Sequence, residues 1–107
     1  MRVLVFEDNL MWSSRLSNSL KGLGHEPLLR SKPDSDASGA EVAIVNLGAE
    51  AFDPPTLVPA LRKQGVRVIG HAGHKEKDLL QLGREAGCDL LATNSQLTFK
   101  IESLLLK

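Results

Sequence analysis

Glu41-Val42-Ala43-Ile44-Val45-Asn46-Leu47-Gly48 is a short apolar run closed by one amide side chain and a glycine. With no polar alternation to offer water, it reads as a central strand of a parallel sheet, covered on both faces. In open α/β sheets, ligands and reacting groups collect in the crevice beyond the carboxyl ends of the strands. Asn46 therefore stands where a site is expected. Its amide donates and accepts hydrogen bonds but cannot act as a carboxylate.

Upstream, Arg2 to Phe6 is a second apolar run, ending in Glu7-Asp8-Asn9, and reads as the first buried strand. From Leu10 to Leu23 the apolar spacing turns helical, with Trp12, Leu16, Leu20 and Leu23 on one stripe, Asp8 or Asn9 as cap and Gly24 as stop. Pro27 to Arg30 is a short second strand. Ser31 to Ala40 is rich in Ser, Asp, Gly and Pro and predicts a loop, at most one helical turn. Downstream, a proline-marked connection leads into a helix from about Thr56 to Lys63, closed by Gly65. Val66 to Ile69 is a strand running into Gly70-His71-Ala72-Gly73-His74, followed by a helix from Lys75 to Ala86. Asp89 to Ala92 is the last strand, and Ser95 is placed to cap a final helix with Leu97, Ile101, Leu104 and Leu105 as its core stripe. Five strands alternating with helices predict a parallel sheet with helices on both faces, because crossovers are right-handed. Glu7, Asp8, Asn46, His71 and Asn94 would then gather at one edge.

The 107 residues and 42% hydrophobic content suit one domain with one core, residues 1–107. Thirteen basic residues balance thirteen acidic ones, so no overall field draws the chain to nucleic acid or anionic lipid. Three Phe and one Trp offer no stacking platform for bases. The lone Cys88 excludes an internal disulfide framework, and no apolar run reaches membrane-spanning length. A cytoplasmic, reducing setting is expected.

With these landmarks in register, the chain resembles a CheY-like receiver domain of a bacterial response regulator over essentially its whole length. The resemblance rests on the acid pair Glu7-Asp8, the Leu23-Gly24 helix stop, the polar residue ending the third strand, His71-Ala72 where the family has Thr or Ser then Ala, and Gly87-Cys88-Asp89 for its Gly-Ala-Asp. It implies a flavodoxin-like (CheY-like) three-layer α/β/α sandwich with a five-stranded parallel sheet, strand order 2-1-3-4-5, and a second helix short or absent. It also implies a two-component (phosphorelay) signalling module and not an enzyme. Carried over position by position, the phospho-accepting aspartate falls on Asn46, the sensing hydroxyl on His71, the lysine on Asn94 and the aromatic switch on Leu91. An amide oxygen is a poor nucleophile, so the resemblance points to a degenerate pseudo-receiver that is independent of phosphorylation and acts through protein-protein interaction.

Glu7 and Asp8, the family's magnesium pair, would make at most a weak metal site without the third carboxylate, and no other cofactor is expected. The ordinary alternative is a helix-capping acid beside an acid paired with a basic group. His71 and His74 have a His-x-x-His spacing; with Glu7 and Asp8 they could instead serve a small metal- or ligand-binding domain or enzyme. The expected role of His71 is a charged partner of Asp8, replacing the positive charge absent at Asn94. Ser13, Ser14, Ser17 and Ser19 read as a solvated helix face, and Cys88 as a packed thiol. Phe99 and Leu106 fall off the core stripe of the last helix, and in receivers the fourth helix, fifth strand and fifth helix form the usual dimerisation and output face. They are the candidates for binding a protein partner or a second copy, against the ordinary reading of loose packing at a chain end.

Overall fold

The computed structural model describes all residues, Met1–Lys107. The strands are β1 (Arg2–Phe6), β2 (Glu26–Arg30), β3 (Val42–Asn46), β4 (Arg67–Ala72) and β5 (Leu90–Thr93), and the helices are α1 (Leu10–Gly22), α2 (Pro54–Lys63), α3 (Lys77–Ala86), α4 (Asn94–Phe99) and α5 (Ile101–Leu106). A 3-10 turn over Glu50–Phe52 leads into α2. The strands form one sheet in the order β2-β1-β3-β4-β5, every neighbouring pair parallel. This is the expected three-layer α/β/α arrangement.

β3 is central, as its composition demands. Val42, Ala43, Ile44 and Val45 are all buried because successive side chains feed opposite faces of the sheet. Val42 and Ile44 join Val3, Val5, Leu16, Leu20, Ile69, Leu97, Ile101 and Leu104 in the core beneath α1, α4 and α5. Ala43 and Val45 join Leu4, Phe6, Phe52, Leu57, Val58, Leu61 and Val68 in the core beneath α2. Phe6 and Phe52 meet edge to face, with ring centroids 5.6 Å apart.

Several boundaries differ from the expected ones, each for a local reason. β4 runs on through His71 to Ala72, because Asn46 and Ala92 hold its end in register on either side. His71 is therefore a strand residue, not a loop residue. The final helix starts at Asn94 and not after Ser95. Thr93 caps it, accepting from Gln96 N at 3.1 Å while the Gln96 side chain accepts from Thr93 N at 2.9 Å, a reciprocal capping box. The helix then breaks at Lys100, at φ −130°, into α4 and α5. Ser13 and Ser17, expected on a wet face, are buried against the sheet.

Residues 31 to 41 form no helix, so the second helix expected to be short or absent does not form. Hydrogen bonds hold the segment in its place. The Arg30 guanidinium donates to the carbonyls of Asp34 (2.8 Å) and Asp36 and to Ser38 Oγ (2.8 Å). Asp34 and Asp36 each accept from the backbone N–H two residues on, which favours turns over helix. Gln64 at the end of α2 accepts from Ala37 N at 3.1 Å.

The sheet is laced at the opposite edge by Asp89. Asp89 N donates to Val68 O at 2.9 Å, and Asp89 Oδ2 accepts from Val68 N at 2.8 Å. Asp89→Ala leaves the Val68 N–H without its acceptor, at a cost of about 1–3 kcal/mol. Urea unfolding of Asp89→Ala should show a lowered midpoint, with Asp89→Asn closer to wild type; equal midpoints for all three would contradict this role.

Candidate functional site

The alternation that builds one core also builds the site. Glu7 continues the parity of Val3 and Val5, Asn46 that of Val42 and Ile44, and His71 that of Ile69, so all three side chains turn toward the layer of α1, α4 and α5. Asn94 joins them from the first residue of α4. The register fixes the meeting, since Asn46 and His71 are paired residues of β3 and β4.

Four of these side chains form one polar line through the carboxyl edge of the sheet. Asn46 Nδ2 donates to Glu7 Oε2 at 2.8 Å, and Asn9 N donates to the same oxygen at 3.2 Å. Asn46 Oδ1 accepts from Gly48 N at 2.9 Å, which fixes the turn after β3. His71 Nδ1 lies 2.7 Å from Asn94 Oδ1, so with this amide orientation Nδ1 carries the proton and donates. His71 Nε2 then faces Glu7 Oε1 across 3.9 Å, and neither atom has a hydrogen-bond partner. Glu7 is 4% exposed and His71 2%.

Asn46 thus uses both ends of its amide. An aspartate could accept from Gly48 N but has nothing to donate to Glu7. The site carries one buried carboxylate, one imidazole and two amides.

The partner of His71 is Glu7, and not Asp8 as the sequence suggested. Asp8 is exposed, while Glu7 is turned inward. Nor is the charged form of His71 the favoured one. Burial lowers its pKa below the ordinary 6.5, outweighing the hydrogen bond to Asn94 and the charge of Glu7, which both raise it.

His74 is exposed beyond the end of β4 and does not join His71. No three His, Cys, Asp or Glu side chains come together as a metal site. A divalent cation of the magnesium or calcium kind needs about six oxygen ligands. Here Glu7 Oε2 already accepts two N–H groups, Asn46 Oδ1 accepts another, and Glu7 Oε1 looks at a ring nitrogen. The donor set does not fit such an ion.

Leu91 is half-buried beside Gly83 of α3; a Cβ on Gly83 would stand 2.8 Å from Leu91 Cδ2 and 2.7 Å from Leu47 Cδ1. The close approach of α3 to the sheet here depends on that glycine. Phe99 and Leu106 are 82% and 73% exposed, unlike Leu97, Ile101, Leu104 and Leu105, which are buried as the stripe predicts. Leu10 and Met11, at the start of α1, are also exposed. Cys88 is packed, with its thiol pushed up to about 11 mainly by burial.

The inward turn of Glu7 and the capping role of Thr93 were missed from the sequence. The first had a signal in the parity Val3-Val5-Glu7, and the second in the Thr93-to-Gln96 spacing.

No family model matches the sequence, and no curated protein matches it. Solved structures do match the fold. CheY4 of Vibrio cholerae, a chemotaxis response regulator, is 19% identical with a TM-score of 0.74, covering 98% of this chain and 92% of that one. The beryllofluoride-activated NtrC4 receiver domain dimer is 20% identical with a TM-score of 0.72, covering 98% and 90%. A response regulator protein from Burkholderia pseudomallei, with a phosphorylated aspartic acid, calcium ion and citrate, is 18% identical with a TM-score of 0.73, covering 97% of this chain and 64% of that one. With strand order 2-1-3-4-5 and helices on both faces, the chain has the CheY-like fold of response-regulator receiver domains.

Proposed function

We propose that this chain is a pseudo-receiver: a signalling module of the two-component type that works by protein-protein contact and without phosphoryl transfer. The observation that carries this reading is the 2.8 Å bond from Asn46 Nδ2 to Glu7 Oε2. Phosphoryl transfer onto a receiver needs a nucleophilic carboxylate, a cation and a compensating ammonium at one point. Here the nucleophile position is an amide whose two ends are both engaged. The Glu7 oxygen that a cation would need already accepts that amide's own N–H. Asn94, at the ammonium position, is neutral and bound to His71. The changes at Asn46 and Asn94 fit one another, since together they remove one negative and one positive charge from the site.

The reading needs no bound metal and no catalytic residue. What remains for function is the surface. Phe99 and Leu106 offer exposed apolar area on the C-terminal helices for a protein partner or a second copy. The NtrC4 receiver supplies a precedent for dimers on this fold.

A small-molecule phosphodonor with magnesium, followed by intact-mass measurement, should give no covalent adduct; an adduct on any residue would overturn phosphorylation independence. Light scattering should show wild-type dimer shifting to monomer in Phe99→Asp. A monomeric wild type, or an unchanged mass in the variant, would remove the homodimer through this face.

A further inference from the structure

Glu7 is a buried carboxylate that no basic side chain answers. Its Oε1 faces only His71 Nε2, 3.9 Å away, and neither atom has a hydrogen-bond partner. The ion pairs that Arg2, Arg30 and Arg62 form go elsewhere, to Glu26, Asp34 and Asp89. Carboxylates enclosed in a folded interior are paired with a cation or coordinate a metal, and an orphaned polar atom there calls for an explanation.

The imidazole is oriented as a metal ligand would be. Nδ1 donates to Asn94 Oδ1 at 2.7 Å, which fixes the tautomer and leaves the Nε2 lone pair turned toward Glu7 Oε1. Histidines that hold a metal are fixed in this way, by a hydrogen bond from the second ring nitrogen to an oxygen acceptor. Burial also disfavours a second ring proton, which would occupy that lone pair. The carboxylate is divided between two tasks. Oε2 accepts from Asn46 Nδ2 and Asn9 N, while Oε1 on its other side is unused. An ion at Oε1 therefore leaves the bond to Asn46 in place.

Size and donor type select the ion. Zinc bonds to imidazole nitrogen and carboxylate oxygen are about 2.0–2.2 Å long, so an ion fits between donors 3.9 Å apart. A tetrahedral angle at the ion brings such donors to about 3.4 Å, a small closure for two side chains. Magnesium demands an octahedron of oxygens, whereas a nitrogen-oxygen pair suits the borderline transition metals. The donors that do not fit magnesium thus fit a zinc-like ion, with water completing its shell. Asp8, the next residue after Glu7, is exposed and leaves a carboxylate at this edge to meet an arriving cation.

We propose that Glu7 Oε1 and His71 Nε2 bind one divalent transition-metal ion of the zinc class, which ties the carboxyl end of β1 to that of β4. The exposed His74 takes no part, so this is not a His-x-x-His site.

The test uses the untagged full chain, stripped with chelator and titrated with zinc chloride, in NMR spectra of its three histidine rings, His25, His71 and His74. Without metal, the His71 proton should sit on Nδ1. Zinc should move His71 Nε2 to a limit at one equivalent, ahead of His25 and His74, and should raise the thermal unfolding midpoint. Magnesium chloride at the same concentration should do neither. His74→Gln should keep the one-equivalent site and His71→Gln should lose it. The proposal is overturned if zinc moves His25 or His74 and not His71, which would be an adventitious surface ion only. It is equally overturned if the metal-free ring carries its proton on Nε2, if magnesium acts as zinc does, or if His71→Gln binds zinc as wild type does. If His71→Gln fails to fold, the ring shifts of wild type and His74→Gln decide the outcome. None of these readouts depends on phosphorylation or on a partner, so failure here leaves the proposed function standing.

Discussion

A buried carboxylate must be given a donor, and at the carboxyl edge of this sheet Asn46 gives one to Glu7. The side chain of Glu7 continues the alternation of Val3 and Val5 and has no route to water. Hydrogen bonds to charged groups are worth about 1.5–3 kcal/mol, and an unmet charge inside costs more. The Asn46 amide and the Asn9 backbone N–H meet that demand from within the chain. In a site built for phosphoryl chemistry a cation would do so. On the proposed reading, that bond stands where a cation would otherwise meet Glu7.

The neighbouring side chains extend the same line of hydrogen bonds. An amide at Asn94 can accept from the neighbouring imidazole, which a lysine ammonium cannot. His71 fills the interior between the two without a net charge at neutral pH. The remaining imperfection is the unfilled 3.9 Å between His71 and Glu7, where neither atom has a hydrogen-bond partner.

Most of the sheet was legible because burial on both faces writes itself as continuous apolar runs, as in Val42 to Val45. The stripe of Leu97, Ile101, Leu104 and Leu105 was legible for the corresponding reason in a helix. That the segment after β2 holds at most one helical turn was legible too, since Asp34, Ser35, Asp36 and Ser38 favour local turns over helical hydrogen bonds. Less visible was what tertiary pairing decides. β4 extends through His71 only because both neighbours hold it there, and that extension, not local propensity, buries the ring. Which carboxylate it meets was then settled by side-chain parity, which favours Glu7 over Asp8. The buried serines of α1 gave no signal, because small polar residues fit a close helix-sheet contact as readily as a wet surface.

The most direct measurement on the central claim is the NMR response of the Asn46 side-chain amide to magnesium. If its N–H bond to Glu7 has replaced the metal, the Asn46 Nδ2 protons exchange slowly with water and keep their shifts as magnesium is raised to millimolar levels. A saturable magnesium-dependent movement of these protons, with faster exchange, would show that Glu7 releases Asn46 for a cation and would contradict the account.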